Sequence, residues 1–128
     1  MRLPLFLIES DGMPRNHQGL LVQTDDEEKS GRLFHVHGNI QQGMSFETRY
    51  PEKPESSPTF LSRRLLGWVQ ESSLEKIEQI CRSNPAPAKQ FDGPRRIDPR
   101  QPLRRCQEWT KETIELLRSQ GVLEAENS

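Results

Sequence analysis

Cysteine and histidine are the side chains best able to run nucleophilic or acid–base chemistry near neutral pH, and this chain holds few of either. It has two cysteines, Cys81 and Cys106, and three histidines, His17, His35 and His37. All three histidines fall in a 21-residue window of the first half. His35 and His37 are two apart, so on a strand they share a face. If the strand that begins at His17 pairs antiparallel with the strand that ends at His37, the three imidazoles gather at one end of a hairpin. Cys106 follows Arg100, Arg104 and Arg105 and opens an amphipathic run. A helix start and nearby positive charge both favour a thiolate. A helix packed on the histidine face with Cys106 at its N-terminus would then complete a thiol–imidazole site. The competing reading makes Cys106 a small apolar residue beside Trp109, and the histidines polar residues on a half-buried sheet.

Cys81 sits in phase with Leu74 and Ile77 and reads as core. His-x-His with a third His and a Cys is also a donor set for zinc or another transition metal. However, there is no Cys-x-x-Cys, no His-Glu-x-x-His and no acidic residue at a completing spacing, so neither metal nor cofactor is expected. Residues 95–105 hold five Arg and one Asp, a local charge of +4 that would attract an anionic substrate or simply form a solvated loop. No phosphate-binding Gly-rich loop, Gly-x-Ser-x-Gly elbow or dinucleotide fingerprint is present.

The elements that must position these residues follow from apolar patterning. Leu3 to Ile8, Gly19 to Thr24, Arg32 to His37 and Met44 to Tyr50 read as four strands of an antiparallel meander, with turns at Asp11-Gly12, Ser30-Gly31 and Gln42-Gly43. Arg63 to Val69 is a fifth strand. Ser72 or Ser73 caps a helix carrying Leu74, Ile77, Ile80 and Cys81 that ends at Asn84-Pro85. A last helix is expected from about Leu103 to Gln120, stopping at Gly121. Prolines mark loops at about 51–60 and 84–102, and Asp25 to Glu28 reads as an acidic hairpin loop. The fold class is therefore α+β: an antiparallel sheet of about five strands packed against two C-terminal helices, in a single domain spanning 1–128.

With 128 residues, 18 Lys+Arg and 19 Asp+Glu, the chain is near neutral, which argues against nucleic acid as the main partner. Its mean hydropathy of −0.86 suits one small core with long polar loops. No apolar run approaches a membrane span, and Leu3 to Ile8 is too short for a signal peptide, so a cytoplasmic protein with free thiols is expected. The partner expected is a small-molecule substrate, with no nucleic acid and no membrane; a homo-oligomer is left open.

The runs His17-Gln-Gly-Leu-Leu-Val, Gly31-Arg-Leu-Phe-His-Val-His-Gly-Asn-Ile-Gln-Gln-Gly-Met and Cys106-Gln-Glu-Trp resemble a group of small proteins from filamentous fungi. Those proteins look like circularly permuted papain-like thiol enzymes, the group that includes lecithin:retinol acyltransferase and deubiquitinase-like peptidases. The resemblance covers about Leu5 to Leu123. It implies that Cys106 is the nucleophile, His17 the base and His35 the residue that orients the imidazole, with His37 a second choice for that role. Relatives often place Asn before the cysteine, where this chain has Arg105. Substrate contacts would come from His37, Trp109, Arg105, Trp68 and Phe34. Three functions are compatible with these residues. One is a biosynthetic thiol enzyme acting on an acyl group by transfer, hydrolysis or cyclisation. Another is a non-covalent cyclase, pericyclase or isomerase of fungal secondary metabolism, with a pocket lined by Trp68, Trp109 and Phe34. The third is a non-catalytic binding protein.

Overall fold

The computed structural model describes residues 1–12 and 15–125. In chain order the elements are β1 (Arg2–Ser10), β2 (His17–Asp25), β3 (Ser30–Asn39), β4 (Gly43–Glu52), β5 (Phe60–Gln70), α1 (Leu74–Ser83), a short ribbon of β6 (Phe91–Asp92) and β7 (Arg95–Arg96), α2 (Cys106–Ser119) and β8 (Glu124–Ala125). Six strands form one antiparallel sheet in the order β4-β3-β2-β1-β5-β8. The architecture is α+β, as expected, with one strand more than the five anticipated. The first four strands do run as a meander, but β5 returns to the far side of β1, and the two-residue β8 extends that edge.

Strand alternation gives the sheet two different faces. Leu5, Leu20, Val22, Phe34 and Val36 point one way and are buried with Ile77, Ile80, Cys81, Trp109 and Leu117 of the helices. This face carries the core, and burying side chains such as these contributes about 1.5–3 kcal/mol each. α2 keeps Cys106, Trp109, Thr110, Thr113, Ile114 and Leu117 buried, the three- and four-residue spacing of an amphipathic helix. Its end matches expectation, since Gly121 takes a positive φ of 73°. Its start does not. The expected Leu103 to Arg105 turn is extended instead, because Arg104 is held by both backbone groups to the Gln90 side chain, its N–H at 2.8 Å from Oε1 and its carbonyl at 2.7 Å from Nε2.

The other face carries His17, Gly19, Leu21, Leu33 and His35. Because β4 and β5 lie on opposite sides of β1 to β3, their connection must cross this face. Pro54 is buried there, the Asp11 N–H donates to the Thr59 carbonyl at 2.8 Å, and Arg63 ties the crossover down through Glu55 at 2.7 Å. The Pro-rich stretch at 51–60 is thus the tail of β4, a 3₁₀ turn and this crossover. Gly31 is not in a turn either. It lies inside β3, where a Cβ would stand 1.9 Å from the Val22 carbonyl oxygen, so only glycine permits that approach. The β2–β3 turn falls at Asp26 to Lys29, and the Asp25 carboxylate accepts the Glu27 and Glu28 N–H groups at 3.0 Å. Among the described residues no helix is long and apolar enough to cross a membrane.

Candidate functional site

His17 is the first residue of β2 and lies opposite Ser10, at the end of the sheet. His35, on the same face one strand over, leans toward it: His17 Nε2 and His35 Nδ1 are 2.8 Å apart, with the rings edge to face at 5.1 Å. Gly19 makes this lean feasible, because a Cβ there would come within 3.1 Å of the His35 Cβ. The second nitrogen of His35, Nε2, is 2.8 Å from Glu47 Oε1, and the same oxygen accepts from Arg49 Nε at 2.7 Å. Glu47 stands directly across from His35 in the β3–β4 register. His35 is 6 % exposed. Burial lowers its pKa, with the Glu47 carboxylate pulling the other way. Burial is also the main reason the His17 pKa falls to about 4, helped by His35, His37 and Arg49. Both rings are therefore neutral at pH 7. The Glu47 carboxyl is held below its usual range, first by its hydrogen bond to His35.

Cys106 is the first residue of α2. Its N-terminal neighbour Arg105 is extended, and Glu108 supplies the cap by accepting the Arg105 N–H at 2.6 Å. Both Glu108 carboxylate oxygens also accept from Arg15 Nη2, at 2.7 and 3.0 Å, and the Gln107 side-chain amide donates to the Asn16 carbonyl. These contacts fasten the chain before β2 onto the start of α2. The Cys106 thiol is pushed up by burial, against the Gln18 backbone N–H and the Arg15 charge, which favour the thiolate. A cleft of about 300 Å³ opens here, with Arg15, His17, Met44, Arg105, Cys106 and Gln107 among its walls. A second cleft, about 320 Å³, lies between the sheet and the β4–β5 crossover and contains His17, His35, Ile8, Leu33 and Pro54. His17 lines both.

The structure thus brings Cys106, His17 and His35 to one end of the sheet, but not by the expected route. The helix does not pack on the histidine face. α2 covers the opposite face, with Phe34 and Val36, and Cys106 shares a cleft with His17 only where β2 begins. Among the described residues no hydrogen bond joins the thiol to either imidazole. The apolar pocket expected from Trp68, Trp109 and Phe34 is absent. Trp109 and Phe34 have no exposed surface and form the core, so they cannot touch a substrate. Trp68 pairs with Pro4, whereas His17 pairs with Ser10. Six residues along β1 separate those positions, about 20 Å. Arg105 does line the cleft with Cys106. His37 stands beside His35, the ring centroids 5.9 Å apart, and is exposed. Cys81 is core as expected, and burial pushes its thiol up to about 12.

Sequence reasoning missed Glu47, Arg15 and Gln18. Glu47 carried a signal: in Met44 to Tyr50 the polar residues Ser45, Glu47 and Arg49 alternate with Phe46 and Thr48, which puts Glu47 on the face of His35 across the hairpin. Gln18 acts through its backbone, so its side chain carried none.

Fold and site together define a class: a small α+β protein with an imidazole–imidazole–carboxylate relay at one sheet end and a cysteine at the facing helix start. The chain belongs to a family of unknown function, DUF6540, whose model matches residues 5–124. No curated protein and no solved structure matches it.

Proposed function

We propose that this chain is a small thiol enzyme of the permuted papain-like plan, acting on a small molecule that carries an ester, thioester or amide, in transfer, hydrolysis or cyclisation. The observation that carries the reading is that His17, held by His35, shares a cleft with Cys106 at the start of a 14-residue helix. His17 Nδ1, the nitrogen not engaged by His35, would take the thiol proton as the sulfur adds to the acyl carbon. N–H groups of the first α2 turn would be the donors for the oxyanion. Collapse expels the leaving group, which takes the proton back from His17. Water, an acceptor hydroxyl or a nucleophile within the substrate would then attack the thioester, losing its proton to His17, which returns it to the departing sulfur.

Alkylation with iodoacetamide, read by peptide mass spectrometry, tests it. At pH 7 Cys106 is expected to be modified while Cys81 is not, and His17→Ala is expected to slow that modification. Turnover of acyl-ester probes is expected to vanish in Cys106→Ala.

One observation favours a second reading: burial holds the Cys106 thiol protonated. In that reading the cleft performs a non-covalent cyclisation, pericyclic reaction or isomerisation, with His17 or Arg105 polarising a carbonyl. Cys106→Ala then keeps its activity, and changes at His17, His35 or Arg105 lower it.

A further inference from the structure

Resting on the thiol reading above, we infer that Glu47 is a positioning residue for His17: through His35 it fixes which nitrogen of the His17 ring carries the proton. The argument runs along three contacts. Glu47 Oε1 already accepts from the Arg49 guanidinium at 2.7 Å, so it is a carboxylate with no proton to give. The proton in its 2.8 Å contact with His35 therefore sits on His35 Nε2. A neutral imidazole has one N–H, which leaves His35 Nδ1 as an acceptor. The 2.8 Å contact between the rings must then be donated by His17 Nε2. His17 is left with a bare lone pair on Nδ1, which has no hydrogen-bond partner among the described residues.

Reversing the relay at its far end reverses it throughout. A donor in place of Glu47 would bond the His35 Nε2 lone pair and move the His35 proton to Nδ1. That proton would be donated to His17 Nε2, and the His17 proton would shift to Nδ1. The ring would then offer a donor where a base is needed, the wrong-tautomer outcome. The packing leaves the two rings little freedom to escape this logic. His35 is almost fully buried above Gly19, whose missing Cβ is what lets the ring reach diagonally to His17.

Long-range proton–nitrogen correlation spectra of the full chain, ¹⁵N-labelled at histidine, read the tautomer directly at pH 7. Substitution of each histidine in turn assigns the signals. In the wild type His17 is expected to carry its proton on Nε2. Glu47→Lys is expected to move it to Nδ1, and Glu47→Ala, which retains no acceptor, to give a mixture. Thermal unfolding checks that both variants are folded, and Glu47 lies near the surface, where either change is tolerated. A wild-type His17 protonated on Nδ1, or a His17 unaltered in both variants, overturns the inference. Cys106 alkylation separates this result from the thiol reading. The expected tautomers with an inert Cys106 would support the relay and remove the nucleophile. A reactive Cys106 with an unaltered His17 in both variants would do the reverse.

Discussion

The burial that keeps His17 neutral makes the stability of the fold depend on pH in a calculable way. In the folded chain its pKa is about 4, against an ordinary value of 6.5. Above pH 6.5 neither folded nor unfolded chain binds a proton there, and the contribution is fully present. As pH falls below 6.5 the unfolded chain takes up a proton that the folded chain refuses, so stability is lost until the folded ring also titrates near pH 4. Each pKa unit is worth about 1.4 kcal/mol, so between pH 7 and pH 5 the loss is about 2 kcal/mol. Because the ring keeps some contact with water, that is an upper figure. His35, lowered by the same cause, adds loss in the same direction. Urea unfolding at pH 7 and pH 5 on the wild type and on His17→Gln isolates the His17 share, since all other groups are common to both. The wild type is expected to lose up to about 2 kcal/mol more than the variant, a sizeable part of the roughly 5–15 kcal/mol of a whole domain. Equal losses in the two proteins would refute the claim that the sheet end desolvates this ring.

Two further perturbations test the frame that holds the site. Gly31→Ala places a methyl group 1.9 Å from the Val22 carbonyl oxygen and 2.8 Å from its carbon, so β2 and β3 must part locally. The expected cost is about 3 kcal/mol or more in urea unfolding, and a change under about 1 kcal/mol would show that the strands separate freely. Asn84→Ala removes the amide that bridges the helices, donating to the Thr113 hydroxyl at 3.0 Å and accepting from Arg104 at 3.0 Å. A loss of about 1–2 kcal/mol is expected from the unpaired partners, and a neutral result by the same measurement would show that water replaces the amide.

What could be read from the chain was whatever shows as side-chain periodicity. The five long strands and both helices appear in the apolar spacing, and so does the confluence of three histidines. The end of α2 was legible in Gly121, but its start was not. Leu103, Arg104 and Arg105 have good helix propensity, and a contact with Gln90, distant in sequence, pulls them straight. β8 spans two residues, too few to hold a pattern. Gly31 reads as a turn residue because a glycine serving close strand approach looks the same in sequence as one serving a turn. The face covered by the helices was in fact encoded: Phe34 and Val36 alternate with His35 and His37, so an apolar core on one side forces the imidazoles onto the other.

That alternation also sets the chemistry the site can do. Residues on opposite faces of a sheet meet only at its ends, and His17 and Cys106 stand at such an end, one at the start of a strand and one at the start of a helix. Both are partly desolvated there, which raises the thiol and lowers the imidazole. An ion pair at rest is disfavoured twice over, so the resting site is a neutral thiol facing a neutral ring. Under the proposed thiol chemistry, a nucleophile prepared this way would resemble a serine and its histidine more than a standing thiolate: the proton would have to leave as the carbon–sulfur bond forms. The groups that favour charge on the sulfur, the Gln18 N–H and Arg15, would act as that charge develops.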